Sequence, residues 1–219
     1  MGKRGPKPKG QVKIKWSPEF AYALGLLVTD GYLSKDGRHI SFVSKDEEQL
    51  LNLMMCLGIL VKIGTTKSGQ GDRTTTRIQF GDIVFYRYLL FLGITPAKTK
   101  TIGKVKIPNK YFFDFLRGHH DGDGYFYSYW DKRWKNSFMY YLEFISASKK
   151  HIDWIRKEIF KKLKIEGHIT TGRGVYQLKY AKEEGFILLK RLYYNKGVIS
   201  LKRKRLKIED ALAIVGKHL

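Results

Sequence analysis

Residues 115–124 read FLRGHHDGDG, so two aspartates and three glycines fall at the end of an apolar helical run. The C-terminus of an α-helix carries partial negative charge from its unpaired carbonyl groups, and carboxylates at that end are electrostatically unfavourable. The segment therefore predicts that something positively charged lies close to Asp123.

An earlier segment of the chain has the same pattern. When ALGLLVTDG (23–31) is aligned with LRGHHDGDG (116–124), both have glycine at the third position, aspartate at the eighth and glycine at the ninth. The aspartates of the two segments, Asp30 and Asp123, are 93 residues apart. This spacing indicates an internal repeat that is too long for a solenoid unit.

The elements around the two segments repeat as well. Hydrophobic periodicity and turn residues predict helix, strand, strand, helix, strand, strand, helix and a basic loop in each copy. We expect a mixed α+β fold with two pseudo-symmetric αββαββα halves, residues 16–105 and 106–219, because each half alone would be a marginal domain. The predicted first-copy elements are 17–31, 39–44, 45–58, 61–67, 73–80 and 82–93. The predicted second-copy elements are 110–124, 125–130, 139–146, 148–164, 167–180, 181–194 and a last helix at 208–219.

Small residues within the two segments predict how the halves meet. Gly25 and Thr29 are four residues apart on one helical face, and so are Gly118 and Gly122. Such pairs let two helix backbones approach closely, so we expect the two helices to pack at the seam between the halves. The helix ends would then bring the two aspartates together, and a divalent cation with oxygen ligands such as Mg²⁺ would relieve their repulsion.

The charge balance points to a polyanionic partner. The chain has 42 lysines and arginines against 20 aspartates and glutamates, a formal net charge of +22. In a folded, aromatic-rich protein this favours DNA or RNA as the partner, with a ribosomal or membrane-surface protein as the alternative. The single cysteine, Cys56, excludes an internal disulfide, and we interpret it as a core residue.

The N-terminal 15 residues carry six basic residues and no acidic one. We interpret residues 1–15 as a flexible basic arm, either lying in an A·T-rich minor groove or simply solvated. The segment has no apolar stretch behind it and the longest apolar run, residues 20–28, is too short to span a bilayer. We therefore expect a soluble, intracellular protein.

The paired segments resemble the two motifs of the LAGLIDADG homing endonucleases, and the resemblance covers residues 16 to about 205. Two motifs in one chain imply the monomeric form of that family. Val28 replaces the first aspartate of the motif, whereas the second copy keeps it as Asp121. The acid that the family requires is the one at the eighth position, which both copies have. The resemblance also implies a saddle-shaped antiparallel sheet from each half lying on DNA.

By this resemblance the protein is a site-specific endonuclease that cuts both strands of double-stranded DNA across the minor groove and leaves 3′ overhangs. Asp30 and Asp123 would be the metal ligands, one for each strand, with Thr29 and Gly122 beside them in the metal site. We expect Mg²⁺ as the cofactor, Mn²⁺ as a substitute, and Ca²⁺ to support binding without cleavage. The target would be long and partly pseudo-palindromic, as for enzymes encoded by mobile introns or inteins.

The family also places a basic residue near each scissile phosphate. The basic segments AKTKT and LKRKR follow equivalent predicted helices in the two halves. We expect Lys98 and Lys202 to be catalytic by steadying charge on the phosphate, with Lys100 and Lys204 as neighbouring DNA contacts. The alternative that stays open is that all four only position phosphates.

Period-two alternation assigns the strand faces. In RTTTRIQF, Ile78 and Phe80 face the helices, and in VYQLKY the same is expected of Tyr176, Leu178 and Tyr180. The side chains of the opposite faces, together with a hairpin turn, are predicted to contact base edges in the major groove. These predicted DNA contacts are Lys62, Arg73, Thr75, Arg77, Gln79, Arg173, Gln177 and Lys179.

Two other metal sites do not fit the sequence. A calcium loop starting at Asp121 would need an acidic residue at its twelfth position, which is Lys132. His119 and His120 are adjacent on a helix and diverge, and no cysteine or second histidine cluster helps them to bind zinc. A packing or solvent-exposed role is the better interpretation.

Four other interpretations compete with cleavage or extend it. The tyrosines of YFYSYW could stack on bases, although such residues more often belong to the core and the sheet surface. The same fold serves in RNA-splicing maturases and in transcription regulators that have lost the motif acids. A basic ribosome-associated protein would leave the paired motif unexplained. Both aspartates are present here, which argues against the regulator but not against the maturase.

Overall fold

The structure is a computed structural model that describes residues 10–67 and 74–219. Ser17 accepts a hydrogen bond from the backbone N–H of Phe20 at 3.1 Å and starts the first helix, with Pro18 at its first position. The first half then consists of α1 Pro18–Thr29, β1 Gly31–Leu33, β2 His39–Ser44, α2 Glu47–Leu57, β3 Gly64–Lys67, β4 Thr74–Gly81 and α3 Ile83–Leu92.

The second half repeats this order. It contains α4 Phe112–Asp123, β5 Tyr125–Trp130, β6 Phe138–Ser146, α5 Lys149–Leu163, β7 His168–Gly172, β8 Val175–Ala181 and α6 Lys182–Leu192, followed by α7 Lys202–Ile214. Short 3-10 turns at Lys98–Lys100 and Asn109–Tyr111 lie in the basic connector between the halves. The predicted αββαββα order is confirmed for both halves.

Each half has one four-stranded antiparallel sheet. The strand orders are β1-β2-β4-β3 and β5-β6-β8-β7, so corresponding strands occupy corresponding places. The pairing registers correspond as well: Ser41 pairs with Gln79 in the first sheet where Glu143 pairs with Lys179 in the second. The helices cover one face of each sheet, and two hydrophobic clusters, one in each half, form the core.

The alternation predicted for the strands is largely as observed. Ile78, Phe80, Leu178 and Tyr180 are buried against the helices, whereas Tyr176 is only partly buried. The strand before the 68–73 segment starts at Gly64 rather than at residue 61. The prediction located no strand at Gly31–Leu33, because three residues are too few for an alternation pattern to be visible.

The predicted flexible arm of residues 1–15 is partly wrong. Residues 1–9 lie outside the described part of the chain. The backbone N–H groups of Gln11 and Val12 donate to the Asp82 carboxylate at 2.6 and 2.9 Å, and Val12 is buried. Asp82 also accepts from the N–H of Phe85 and so caps α3. One buried carboxylate thus fastens this segment to the first half.

The basic segment LKRKR is helical rather than a loop, because α7 begins at Lys202. The four basic residues of its first turn hid the helical pattern, since the buried apolar residues of α7, Ile208, Ala211 and Leu212, come later. In the described part of the chain, no helix combines the length and the apolarity that crossing a bilayer would need.

Candidate nucleic-acid interface and carboxylate site

Helices α1 and α4 pack against each other at the seam, as their small residues predicted. A Cβ atom on Gly25 would lie 2.1 Å from the carbonyl oxygen of Phe115, and one on Gly118 would lie 2.0 Å from that of Tyr22. Both distances are far below a van der Waals contact. Glycine at these two positions is therefore what lets the backbones of the two halves touch.

The two motif aspartates stand at the ends of these helices. Asp30 is the C-cap of α1 and is half-buried. The Thr29 hydroxyl lies 3.2 Å from its Oδ2 and 2.8 Å from the carbonyl oxygen of Leu26, and it can donate to one of them. A Cβ on Gly122 would lie 2.9 Å from the Asp30 Oδ2, so the Asp30 carboxylate lies across the seam against α4. Burial, with repulsion from Asp123, raises the pKa of Asp30 to about 6.

Two lysine ammonium groups supply the positive charge that the sequence required. Lys98 donates to the carbonyl oxygen of Gly31, directly after α1. Lys204 donates to the carbonyl oxygens of His120, Gly122 and Gly124 at 2.6, 3.1 and 2.7 Å. The Lys204 ammonium thus places positive charge at the C-terminus of α4, and the Lys98 ammonium places it at the first residue of β1, just beyond the end of α1.

The two lysines and the two aspartates form one charge cluster. Burial lowers the pKa of both Lys98 and Lys204 to about 8, while the aspartates oppose this shift. Partial dehydration raises the pKa of Asp123, and Lys204 and Lys98 counteract it. The lysines therefore favour ionised carboxylates at a site where burial and mutual repulsion would otherwise favour protonation.

The structure brings Lys204, and not Lys202, to this cluster. Lys202 is exposed and lines a surface depression with Lys196 and Arg205. Residues two apart on a helix point about 200° from each other, so the two lysines lie on opposite faces of α7. Lys204, Ile208 and Leu212 are spaced by four, and the last two are buried, so a helical reading of LKRKR would have found the inward lysine. Lys100 is exposed beside the site.

Asp121 is a residue whose role the sequence did not reveal. It is buried in the seam, and its Oδ2 accepts from the Tyr22 hydroxyl and from the backbone N–H of Leu201, both at 2.7 Å. Leu201 caps α7, so this carboxylate fixes the start of the helix that carries Lys204. Burial raises the pKa of Asp121 to about 6, and the two hydrogen bonds oppose that shift.

Arg117 is a second such residue. Its guanidinium is buried and donates to the carbonyl oxygens of Ile199 and Leu192 at 2.8 Å and to Asp114 at 2.9 Å. It therefore ties α4 to the segment that leads into α7. The sequence shows only the Asp114–Arg117 spacing of three, and did not reveal this role because the two carbonyl partners lie about 80 residues away.

His119 and His120 are both buried. Of the two roles that the sequence left open, packing in the interior and exposure to solvent, the structure shows packing. The His119 ring stacks on that of His151, 5.2 Å between centroids, and a cavity of about 40 Å³ lies between His119, Thr29, Lys98 and Asp123. Burial lowers the pKa of all three imidazoles, so they are neutral in the folded protein near pH 7.

The opposite face of the first sheet carries most of the predicted base contacts. Arg77 and Gln79 are partly or fully exposed on β4, and Lys62 is exposed before β3. The Thr75 hydroxyl donates to the Thr66 carbonyl at 3.3 Å, which occupies its hydrogen. Arg73 lies outside the described residues.

The corresponding face of the second sheet is chemically different. The Lys179 ammonium pairs with the Glu143 carboxylate at 2.9 Å, and Gln177 accepts from the Thr170 hydroxyl at 3.1 Å. Arg173 is exposed in the β7–β8 turn with a φ of 52°. Of these three predicted contacts, Arg173 alone makes no side-chain hydrogen bond or ion pair among the described residues, because the other two are engaged by neighbouring strands.

Comparison with known proteins gives structural but no sequence-level matches. No protein-family model matches the chain, and no curated protein does. Among solved structures, the homing endonuclease I-WcaI bound to its DNA recognition sequence is 14% identical with a TM-score of 0.62, over 93% of this chain and 94% of that one. The meganuclease I-SmaMI bound to uncleaveable DNA is 15% identical with a TM-score of 0.57, over 92% and 93%.

A third similar structure is that of WhiA, which is not named as a homing endonuclease. Full-length WhiA from Thermatoga maritima is 18% identical with a TM-score of 0.55, over 93% of this chain and 69% of that one. At such identities the likeness concerns the fold. The similar structures extend over both halves of the chain, and the paired glycine–aspartate helices meet at its seam. The chain is therefore a LAGLIDADG-fold protein.

Proposed function

We propose that this protein is a site-specific double-strand DNA endonuclease that hydrolyses one phosphodiester in each strand. The observation that carries the proposal is the charge cluster at the seam, in which Asp30 and Asp123 end two touching helices and Lys98 and Lys204 compensate them. A purely structural seam has no need of carboxylates, because burial and repulsion raise the pKa of Asp30 and cost stability.

The donor set fits a divalent cation. Two carboxylates converge from the two helix ends, and Mg²⁺ in nucleotide-processing sites usually takes one or two carboxylates together with waters and substrate phosphates. In the described part of the chain, no group of three acidic, histidine or cysteine side chains forms a closed metal cage. An open site of this kind leaves coordination positions for a phosphate. Gly122 fits less well as a ligand, because its carbonyl accepts from Lys204.

The chain's own residues have separate tasks in this proposal. Asp30 and Asp123 would hold the metal, whose chemistry when bound is activation of a water and stabilisation of the leaving oxygen. Thr29 lies beside the Asp30 carboxylate, but its one hydroxyl hydrogen is shared with the carbonyl oxygen of Leu26, which is closer at 2.8 Å. Lys98 and Lys204 keep the carboxylates ionised and place positive charge where a phosphate would approach.

DNA as the partner is supported by charge and by the similar structures. The net charge is +22, and the face of the first sheet opposite the helices carries the exposed Gln79 and the partly exposed Arg77, with the exposed Lys62 just before β3. I-WcaI and I-SmaMI, which have the same fold, were solved bound to DNA. A soluble, monomeric protein acting inside the cell on a long, partly two-fold target completes the proposal.

A cleavage selection tests it. The protein is incubated with Mg²⁺ and a randomised duplex library, and the cut ends are sequenced, with the double variant D30N/D123N as the matched control. The expected result is one long, partly two-fold motif with short 3′ overhangs that the control does not produce. A pull-down of the same library in Ca²⁺ tests the alternative that the protein binds DNA without cutting it. An enriched motif that is bound but never cut would replace the nuclease with a non-cleaving binder, such as a maturase or a regulator.

A further inference from the structure

The two halves differ most in their first hairpin. Strands β1 and β2 have three and six residues, whereas β5 and β6 have six and nine. At about 3.3 Å per residue, three more residues lengthen the second hairpin by roughly 10 Å. The β5–β6 hairpin is therefore longer than the β1–β2 hairpin, which is its pseudo-symmetric counterpart.

The face of this hairpin opposite Phe126 carries a row of tyrosines, and the Lys207 ammonium of α7 lies 4.9 Å from the Tyr125 ring centroid. Phe126 is buried in the core, so its neighbours Tyr125, Tyr127 and Tyr129 are on the opposite face, where Tyr141 on β6 pairs with Tyr127. The Tyr127 and Tyr141 rings are parallel within 13°, with centroids 5.0 Å apart. Tyr127 also stacks on Tyr125 at 5.7 Å and on Tyr129 at 6.3 Å.

The stacking decides which part of each ring a partner can reach. Because the rings cover one another's faces, they are poorly placed to stack on unpaired bases, which need a free aromatic face. The ring edges of Tyr125 and Tyr129 remain accessible, since these residues are 51% and 44% exposed, whereas Tyr127 is partly buried and its hydroxyl is hydrogen-bonded to Glu143. A ring edge in the major groove matches the C5-methyl group of thymine, the apolar group that marks an A·T pair there.

The position and spacing of the row suit a duplex. Strand β5 begins two residues after Asp123 and leads away from it. Alternate residues of a strand are about 6.6 Å apart, close to the rise of about 6.8 Å over two base pairs. The tip beyond Trp130 is basic, with Lys132, Arg133 and Lys135 all exposed. Such residues neutralise backbone phosphates.

We propose that the β5–β6 hairpin is a thymine-reading arm, in which the edges of Tyr125, Tyr127 and Tyr129 contact thymine methyl groups at every second base pair of one half-site. The proposal rests on the proposed binding of duplex DNA. It makes the protein's two halves read different chemistry: the first sheet presents Arg77 and Gln79 for hydrogen bonds, and the second presents mainly aromatic edges. The target is then thymine-rich, with a two-base-pair period, on one side only.

The test removes the methyl group without changing the hydrogen-bond pattern. The bound motif is first selected from a randomised duplex library in Ca²⁺, and each thymine of the motif is then replaced by deoxyuridine. We expect about fourfold weaker binding for each contacted methyl, as for burial of one methyl group. The affected positions should lie two base pairs apart in one half-site, and deoxyuridine in the other half-site should leave affinity unchanged.

Variants at the exposed Tyr129 assign the effect to the row. Tyr129→Ser should bind the thymine and deoxyuridine versions of one position equally, whereas Tyr129→Phe, which keeps the ring edge, should retain the difference. If the wild-type protein binds the motif equally well with thymine and with deoxyuridine at every position, the inference is overturned without any variant. That result would leave the proposed binding of duplex DNA intact, whereas the absence of any enriched motif would overturn the proposed function itself.

Discussion

The carbonyl oxygen of Tyr22 on α1 faces Gly118 on α4 so closely that a Cβ atom there would be 2.0 Å away. The reciprocal contact joins Gly25 to the carbonyl oxygen of Phe115 at 2.1 Å. These two contacts fix the distance between the halves. Since Asp30 and Asp123 end the same helices, they also fix the distance between the two carboxylates.

Replacing Gly118 by alanine should therefore destabilise the protein more than an ordinary glycine substitution does. The added methyl group must separate two backbones, neither of which is the flexible end of a side chain, so we expect a loss of about 3 kcal/mol or more in the free energy of unfolding. Thermal and urea unfolding measure it. Gly172→Ala is the control, because its Cβ would meet open space. Equal effects at the two positions would contradict close backbone packing.

Single substitutions of the motif aspartates should separate binding from cleavage. Asp30→Asn or Asp123→Asn removes one proposed metal ligand, so we expect double-strand cleavage to fall at least about 100-fold while duplex binding in Ca²⁺ persists. A strand-resolved cleavage assay on the selected target measures both. Asp153→Asn is the control, since that exposed acid pairs with Lys149 on α5, away from the seam. A single variant that still cuts both strands at the normal rate would exclude the paired-acid site.

Lys204 and Lys202 offer a matched comparison within one helix. Lys204→Met removes the ammonium group that contacts three carbonyls beside Asp123, so we expect cleavage to slow about 100-fold, as for the loss of one preorganised donor. Lys202→Met should only lower the salt dependence of DNA binding by about one charge. The measurements are single-turnover cleavage and binding over a range of salt. Equal losses of rate would return Lys202 to the catalytic role first predicted for it.

Arg77 and Lys62 should differ in what they do to sequence preference. Arg77 lies on the open face of β4, where a guanidinium can contact a base edge, so Arg77→Ala should relax preference at one base position at a cost of about 1–3 kcal/mol. Lys62→Ala should weaken binding uniformly across sequences. Binding selections with both variants measure this. A uniform loss with Arg77→Ala would make it a backbone contact.

His151 should make the protein acid-labile. Burial lowers the pKa of its imidazole to about 4 from the usual 6.5. Between these values the unfolded chain binds a proton that the folded chain does not, so stability is full above about pH 6.5 and falls as the pH drops towards 4. The difference corresponds to a loss on the order of 3 kcal/mol.

The residue at the corresponding position in the first half suggests a substitution for His151 that tests this pH dependence. Gln49 stands on α2 where His151 stands on α5, and its amide donates to the carbonyl oxygen of Asp121. His151→Gln should flatten the stability–pH curve by one proton between pH 6.5 and 4, measured by urea unfolding in EDTA. In the variant the buried His119 and His120 keep a residual slope of the same sign, whereas Asp30 and Asp121, whose pKa burial raises to about 6, contribute a slope of the opposite sign below about pH 6. An unchanged slope would mean that His151 is protonated in the folded state.

Local patterns determined the repeat, the order of the elements and the two aspartates, because these depend on spacings of a few residues. Gly25 with Thr29 and Gly118 with Gly122 predicted the seam, since positions four apart share a helical face whatever surrounds them. The positive charge expected near Asp123 is present as well. What the sequence could not do is say which lysine supplies it.

That choice needed the tertiary structure. Lys204 and Lys202 are chemically identical, and only the rotation of α7, held by the Leu201–Asp121 hydrogen bond, turns one of them inward. Asp121 and Arg117 took their roles from partners about 80 residues away, which no local spacing records. The sequence by itself determined the motifs and their symmetry, because short-range geometry encodes them. The tertiary structure decided which charges meet, because that depends on contacts between segments that are distant in the sequence.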